Sequence, residues 1–332
     1  LEDEPQARRK GMMLNMNKKV VILGGGTGLS TLLRGLKQFP IDITAIVAVS
    51  DDGRSTGKLR QEFNVPAVGD IRQVIVALSE TEPLVQDLLN YRFKTNSDLN
   101  GHALGNLLLT ALINVAGNMS TGIESLGKIL NLKGKVLPLT EDNVTLMAKM
   151  EDNITIEGEH NITEYEGKIK EIFYKEKPTI NDDVIKEIKQ ADLIILSMGS
   201  LYTSLLPNLI CKEIKQAIDE SNAEVMYICN IMTQPGETDK FKASDHVTIV
   251  NDYLGKKKID IVLANTGSIT KAMKEKYACL EQKDPVIFDK KNLKSMNIKI
   301  ISDDFVTITD NMLRHDTIKL GLHIYSYLIL GR

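Results

Sequence analysis

Apolar and polar positions along the chain fall into short, wholly apolar runs and longer stretches with helical spacing. Val20 to Leu23 is continuously apolar, and Leu29 to Lys37 behind it has a helical pattern. Ile41 to Ser50, rich in Ile and Val, predicts a second buried strand. Helices are expected over Ile71 to Ser79, from Pro83 to about Phe93, and from His102 or Leu104 to Val115. Between Lys135 and about Phe173 the period shortens: Val144, Leu146, Ala148 and Met150, then Ile154 and Ile156, alternate with polar residues. This segment, about 135–175, is expected to be a small β-rich insertion. Helices then return over Asp183–Lys189, Asn208–Glu220 and Ala243–Leu254, and strands over Leu193–Leu196, Val225–Cys229 and Ile259–Ala264. Strands alternating with helices predict an α/β fold, a doubly wound, mostly parallel Rossmann-like sheet flanked by helices. Residues 18–332 are expected to form one domain, preceded by a polar, disordered leader over 1–17.

The breaks in this pattern carry the candidate chemistry. Gly24 to Gly28, with Thr27 inside, separates the first strand from the first helix. Strand, glycine turn and helix in that order let backbone N–H groups receive a phosphate, so Gly25, Gly26, Thr27 and Gly28 are the expected cradle. No Gly-Lys-Ser/Thr follows, which excludes a P-loop. Ser30 and Thr31 stand where the dinucleotide fingerprint has its third glycine. A turn that merely starts a helix is the bland alternative.

Other candidate strands also end on polar residues: Asp51-Asp52, Ser197 to Ser200, Asn230, and Asn265-Thr266. In an open α/β sheet such ends share one rim, where ligands bind. Asp51, with Asp70, suits Mg²⁺ beside substrate phosphates, or Asp51 and Asp52 suit a ribose hydroxyl. The structural alternative is an Asp-Gly turn, with Asp70 as N-cap of a box completed by Gln73. Arg54, Lys58 and Arg60 are nearby cations. His102 has the chemistry of an acid, a base or a phosphate donor, and also of a helix cap. Arg314-His315-Asp316 resembles a base with an orienting carboxylate.

Composition narrows the partners. With 41 basic and 44 acidic residues, net charge −3, and no Trp, nothing marks the 332-residue chain for nucleic acid. Three widely spaced cysteines without a CxxC fit neither a disulfide framework nor zinc, and predict a reduced, cytoplasmic protein. No apolar run reaches the ~18–20 residues that span a bilayer, so no membrane insertion is expected.

Taken together the motifs are more specific. Gly24-Gly25-Gly26-Thr27-Gly28-Leu29-Ser30, Asp51-Asp52-Gly53, Gly69-Asp70-Ile71-Arg72 and Tyr91-Arg92-Phe93 are followed by Gly101-His102, Leu104-Gly105-Asn106 and Gly199-Ser200-Leu201-Tyr202-Thr203-Ser204. Cys229-Asn230, Met232 to Thr238 and Arg314-His315-Asp316 complete the order. From about Lys18 onward the chain resembles the bacterial gluconeogenesis factor family (YvcK-like), related to the 2-phospho-L-lactate transferases (CofD-like). The resemblance implies a cytoplasmic regulator of carbon metabolism and cell-envelope morphogenesis that binds a UDP-sugar such as UDP-N-acetylglucosamine. The alternative it implies is a Mg²⁺-dependent transferase acting on a nucleotide-activated donor. Nicotinamide and flavin are not expected, and homo-oligomerisation is open. Ser200, Thr203 and Ser204 would add hydroxyl contacts, Asn230 and Asn265 would read base or ribose, and Arg72, His102 and Asn106 come in with the matched motifs. The chain departs from the family pattern at Arg54 and Thr56, at Gln73, and at Met198 in place of proline. Thr317 is a candidate phosphoacceptor.

Overall fold

The protein, described by a computed structural model over residues 17–309 and 311–331, places the leader expected over 1–17 outside the described residues except for Asn17. Its first half runs β1 (Lys18–Gly24), α1 (Gly26–Leu36), β2 (Ile41–Val47), α2 (Arg54–Phe63), α3 (Gly69–Leu78), α4 (Pro83–Asn90), α5 (Leu104–Ala116), α6 (Met119–Ile129) and β3 (Lys135–Pro138). A small layer follows, with β4 (Leu146–Met150), β5 (Thr155–Glu157), α7 (Glu159–Glu164) and β6 (Ile169–Tyr174). The second half runs α8 (Asp182–Gln190), β7 (Leu193–Leu196), α9 (Lys212–Glu220), β8 (Glu224–Ile228), α10 (Ala243–Tyr253), β9 (Ile261–Asn265), α11 (Lys271–Glu281), α12 (Lys290–Ser295) and β10 (Lys299–Asp303). It ends with β11 (Val306–Thr309), β12 (Met312–His315) and α13 (Thr317–Leu330).

Seven strands form one parallel sheet in the order β10-β9-β8-β7-β1-β2-β3. The continuous apolar runs explain why. Val20 to Leu23 and Leu193 to Leu196 are buried throughout, as strands covered by helices on both faces must be. From β1 the chain moves outward through β2 to β3, then returns and builds β7 to β10 on the other side. The order therefore reverses between β1 and β7, where Leu23 pairs with Leu196. That is the topological switch point, outside which α/β sheets hold their ligands.

The small layer is an antiparallel sheet in the order β5-β4-β6. The alternation at Leu146, Ala148 and Met150 is the buried face of β4. Lys135 to Pro138, expected within the insertion, instead pairs with β2 as the edge of the main sheet. The helix expected from Asn208 begins at Lys212, because residues 201–208 are wound into a π turn and a 3-10 turn around Pro207.

α1 packs between α3 and α13. Contact with α13 is close because Gly35 has no side chain: a Cβ there would stand 2.1 Å from the Thr317 carbonyl oxygen. Gly35→Ala should therefore lower stability by about 1–3 kcal/mol, the usual cost of overpacking, read as a lower urea midpoint with an unchanged m-value.

Candidate functional site

The switch point is built by two loop backbones pressed together. β1 ends at Gly24, and Gly25, extended at φ −161°, caps the N-terminus of α1. Gly26 takes φ +54°, a left-handed conformation that glycine adopts without strain. Opposite, β7 runs into Ser197-Met198-Gly199, with Gly199 at φ +148°. A Cβ on Gly28 would lie 1.9 Å from the Met198 carbonyl oxygen, and one on Gly24 2.0 Å from Ser197 Oγ. Buried Asn208 secures the approach, its Nδ2 donating to the carbonyls of Gly24 (3.2 Å) and Ser204 (3.0 Å).

On one side of this junction opens a cleft of about 260 Å³. It is lined by Thr27, Gly28 and Gly199 of the junction, by Asn230 and Gln234, and by Tyr277, Glu281, Lys283, Arg314 and His315. Arg314 makes no ion pair among the described residues, whereas Lys283 pairs with Glu281 at 2.7 Å. His315 Nε2 lies 3.2 Å from the Cys229 carbonyl, which only accepts, so this nitrogen carries the proton and Nδ1 is left as an acceptor. Burial lowers the His315 pKa to about 4, keeping the ring neutral. Asp316 does not orient it, contrary to the sequence expectation: its Oδ1 accepts from Lys319 N–H (2.9 Å) as the N-cap of α13.

Acidic groups gather on the other side of the glycine turn. Asp70 does not cap α3, which has Val68 at its N-cap. Its carboxyl faces Gly25 and Gly26. Burial, and then the charge of Asp51, raise the Asp70 pKa to about 7. Burial and the charges of Asp70, Asp51 and Asp52 push Glu159 far up as well. Asp51 Oδ1 accepts from Gly53 N–H (2.8 Å), and Asp52 Oδ1 from His160 N–H (2.8 Å), which ties the small sheet to this corner.

The expected site residues thus divide into groups. Thr27, Gly28, Ser200 and Asn230 line the cleft, while Gly25 and Gly26 stand between it and the acids. Asn230 spends its amide on Gly199, accepting from N–H (3.1 Å) and donating to the carbonyl (2.7 Å). The Ser200 and Thr203 hydroxyls turn inward to the buried carboxylate of Glu237, and Ser204 packs against Gly25. Arg72, His102 and Asn106 are buried behind the acids. Arg72 Nε donates to Asn106 Oδ1 (2.9 Å), and Arg72 also binds Asn90. Burial, reinforced by Arg92, lowers the Arg72 pKa to about 10. His102 Nδ1 meets Ser55 Oγ at 3.1 Å.

Asn265 is not brought to the cleft. It borders a separate cavity of about 280 Å³ and bonds to Gly267 and the Phe305 N–H. Arg60 is buried and braces Asn143 and the carbonyls of Ser50, Asp51 and Val144. Lys58 is exposed, and the Arg54 side chain lies outside the described residues. Sequence reasoning did not single out Gln234, Glu237, Tyr277, Lys283 or Glu159. The first two sit inside a matched motif, but Glu159 reaches its corner only through the packing of the small sheet.

Residues 20–306 match the family described as 2-phospho-L-lactate transferase CofD. The chain belongs to the CofD family. It is 47% identical over 309 residues to the gluconeogenesis factor of Bacillus subtilis (strain 168), covering 93% of this chain and 97% of that protein. With the gluconeogenesis factor of Halalkalibacterium halodurans the identity is 46%, covering 92% and 94%. A crystal structure of protein BH3568 from Bacillus halodurans is similar, with a TM-score of 0.90 and 45% identity, covering 93% of this chain and all of that one.

No group of three His, Cys, Asp or Glu side chains among the described residues is placed to hold a metal ion by itself. Asp51 and Asp70 of this CofD-family chain nevertheless fit Mg²⁺, which takes one or two carboxylates and completes its shell with water and substrate phosphate. The raised pKa of Asp70, with a second carboxylate beside it, is the signature of acids that a cation would relieve.

Two outcomes follow from this geometry. Between pH ~4 and ~7 the native state keeps a proton on Asp70 that the unfolded chain has lost, so stability falls as pH rises through that window. The slope reaches at most about 1.4 kcal/mol per pH unit. Asp70→Asn should flatten it, matching wild type at pH 4 and exceeding it at pH 8 in urea titrations. Gly28→Ala should force β1 and β7 loops apart, costing about 1–3 kcal/mol and abolishing ligand binding by calorimetry.

Proposed function

We propose that this CofD-family protein binds a UDP-activated amino sugar, of the UDP-N-acetylglucosamine type, at the switch-point cleft, and acts as a cytoplasmic regulator of carbon metabolism and cell-envelope morphogenesis. One observation carries the reading: the cleft joins the glycine-turn end of α1 to a wall holding Arg314, Lys283 and the Tyr277 ring. A helix N-terminus and a guanidinium suit a diphosphate. An aromatic ring beside them suits a base or sugar face. The relatives' name, gluconeogenesis factor, supports the regulatory part.

The acidic corner supports a second reading, a Mg²⁺-dependent transferase. Asp51 and Asp70 would hold the ion, and the ion would supply Lewis-acid neutralisation of phosphate oxygens. The side chains themselves would fix the donor's phosphates against the glycine turn, with Arg314 holding the far end.

Calorimetric titration with UDP-N-acetylglucosamine, with and without Mg²⁺, and with GDP and NAD as controls, separates the two. Saturable binding of the UDP-sugar with no product released supports the regulator, and Arg314→Ala should weaken it by roughly tenfold or more. Turnover of a nucleotide donor that disappears in Asp51→Asn would move the assignment to the transferase. Tight NAD binding would refute both.

A further inference from the structure

Glu237 is a buried carboxylate surrounded by donors. Ser200 Oγ lies 2.7 Å from each of its oxygens, Tyr202 N–H donates to Oε2 at 3.0 Å, and Gln234 Nε2 donates to Oε1 at 2.7 Å. Thr203 Oγ1 adds a longer contact at 3.4 Å. No cation pairs with it among the described residues. These donors come from two loops, one after β7 and one after β8, which share no backbone ladder and are otherwise tied at their roots by the Asn230 amide on Gly199. Both loops border the cleft.

The chemistry of this arrangement fixes more than position. An ionised carboxylate accepts and never donates. Gln234 turns its amide nitrogen to Glu237, which leaves the carbonyl oxygen Oε1 as the other end of a side chain that lines the cleft. Oε1 makes no hydrogen bond among the described residues. Ser200 is used up in the same way, its proton on Glu237 and its oxygen accepting from Thr203 N–H at 3.1 Å. Burial raises the Glu237 pKa above the usual carboxylate range and the donors from Ser200, Tyr202 and Thr203 oppose that rise, so removing any donor weakens the whole bracket.

We infer that Glu237 is the positioning residue of the cleft: it clamps the β7 and β8 loops together and turns the Gln234 carbonyl outward. The part of the ligand seated against Gln234 therefore carries a hydrogen-bond donor, an imide N–H or a sugar hydroxyl, and the phosphates lie toward Gly28 and Arg314. The ligand part of this inference rests on the proposed nucleotide-sugar reading, and the clamp does not.

The test uses the full chain and two measurements. In Glu237→Gln, which keeps the shape but sets an NH₂ against the donors, hydrogen exchange of amides 200–204, 234 and 236–238 should speed up roughly tenfold or more, with the sheet unchanged. Ser200→Ala, which removes one donor, should give a smaller change in the same amides. Wild-type exchange at these loops in Glu237→Gln would overturn the clamp, whether or not the protein binds a UDP-sugar.

For the polarity, binding of UDP-N-acetylglucosamine is compared with its N3-methyl and single deoxy analogues. One analogue should bind wild type roughly tenfold or more weakly, yet bind Gln234→Met as the parent compound does. Equal losses for every analogue in both proteins would overturn the polarity. If wild type binds none of them, the proposed ligand is wrong, and the exchange measurement still decides the clamp.

Discussion

The approach of two backbones at the switch point is the constraint on which the site depends. Gly28 beside Met198 and Gly24 beside Ser197 leave no room for a Cβ. With that contact made, the N-terminus of α1 opens directly onto the loop after β7, and a ligand on one necessarily touches the other. Without it the helix would still form and the sheet would still pair, but the rim would be a set of separate loops. The fold needs the apolar strands, and the site needs the glycines.

The same junction divides the rim electrostatically. Asp70 faces Gly25 and Gly26, so on the acidic side a carboxyl already stands against the start of the glycine turn. What remains for a ligand is the Thr27–Gly28 side, facing Arg314 and Lys283. An anion entering there meets two cations and a helix terminus, while on the acidic side it would meet the acids Asp51, Asp52, Asp70 and Glu159. Two charges of opposite preference are thus held close together without a direct ion pair. A phosphate and a divalent cation would each find a complementary half.

The sequence pattern made the architecture legible because it rests on burial. Runs such as Val20–Leu23 and Leu193–Leu196 have a parallel-sheet composition whatever their neighbours do. Where β3 belonged was not legible: Lys135 to Pro138 is too short to show whether it joins the insertion or the main sheet. The hairpin β11–β12 and helix α11 went unread because many of their apolar residues are exposed and their buried ones are few, whereas α13 went unread although Leu320, Ile324 and Tyr327 keep a helical spacing. For the site, position along the chain announced the strand ends correctly as a rim, but not what each side chain does there. Asn230 and Asp316 have the residue types of ligand-binding groups, and both are spent on backbone. Spacing reports which residues lie near the rim and carries no information on which polar atoms remain unsatisfied.

That distinction explains how loops can carry a rigid site. Polar loop backbone at the end of a buried sheet must find partners, and here buried side chains supply them: Asn208 for Gly24 and Ser204, Asn230 for Gly199, Arg60 for Ser50, Asp51 and Val144, and Glu237 for Tyr202. Each bracket joins segments distant in sequence, so the loops are fixed by hydrogen bonds where apolar packing is thin. Side chains used in this way are removed from the ligand's reach. The groups left to it are therefore few: Gly28 and Thr27 at the helix end, Gln234 Oε1, Lys283, Arg314 and the Nδ1 of a neutral His315. Fixed donors and acceptors around Arg314 and Lys283 make a site whose selectivity is set by geometry: His315 is neutral with its proton on the Cys229 carbonyl, so its Nδ1 can only accept.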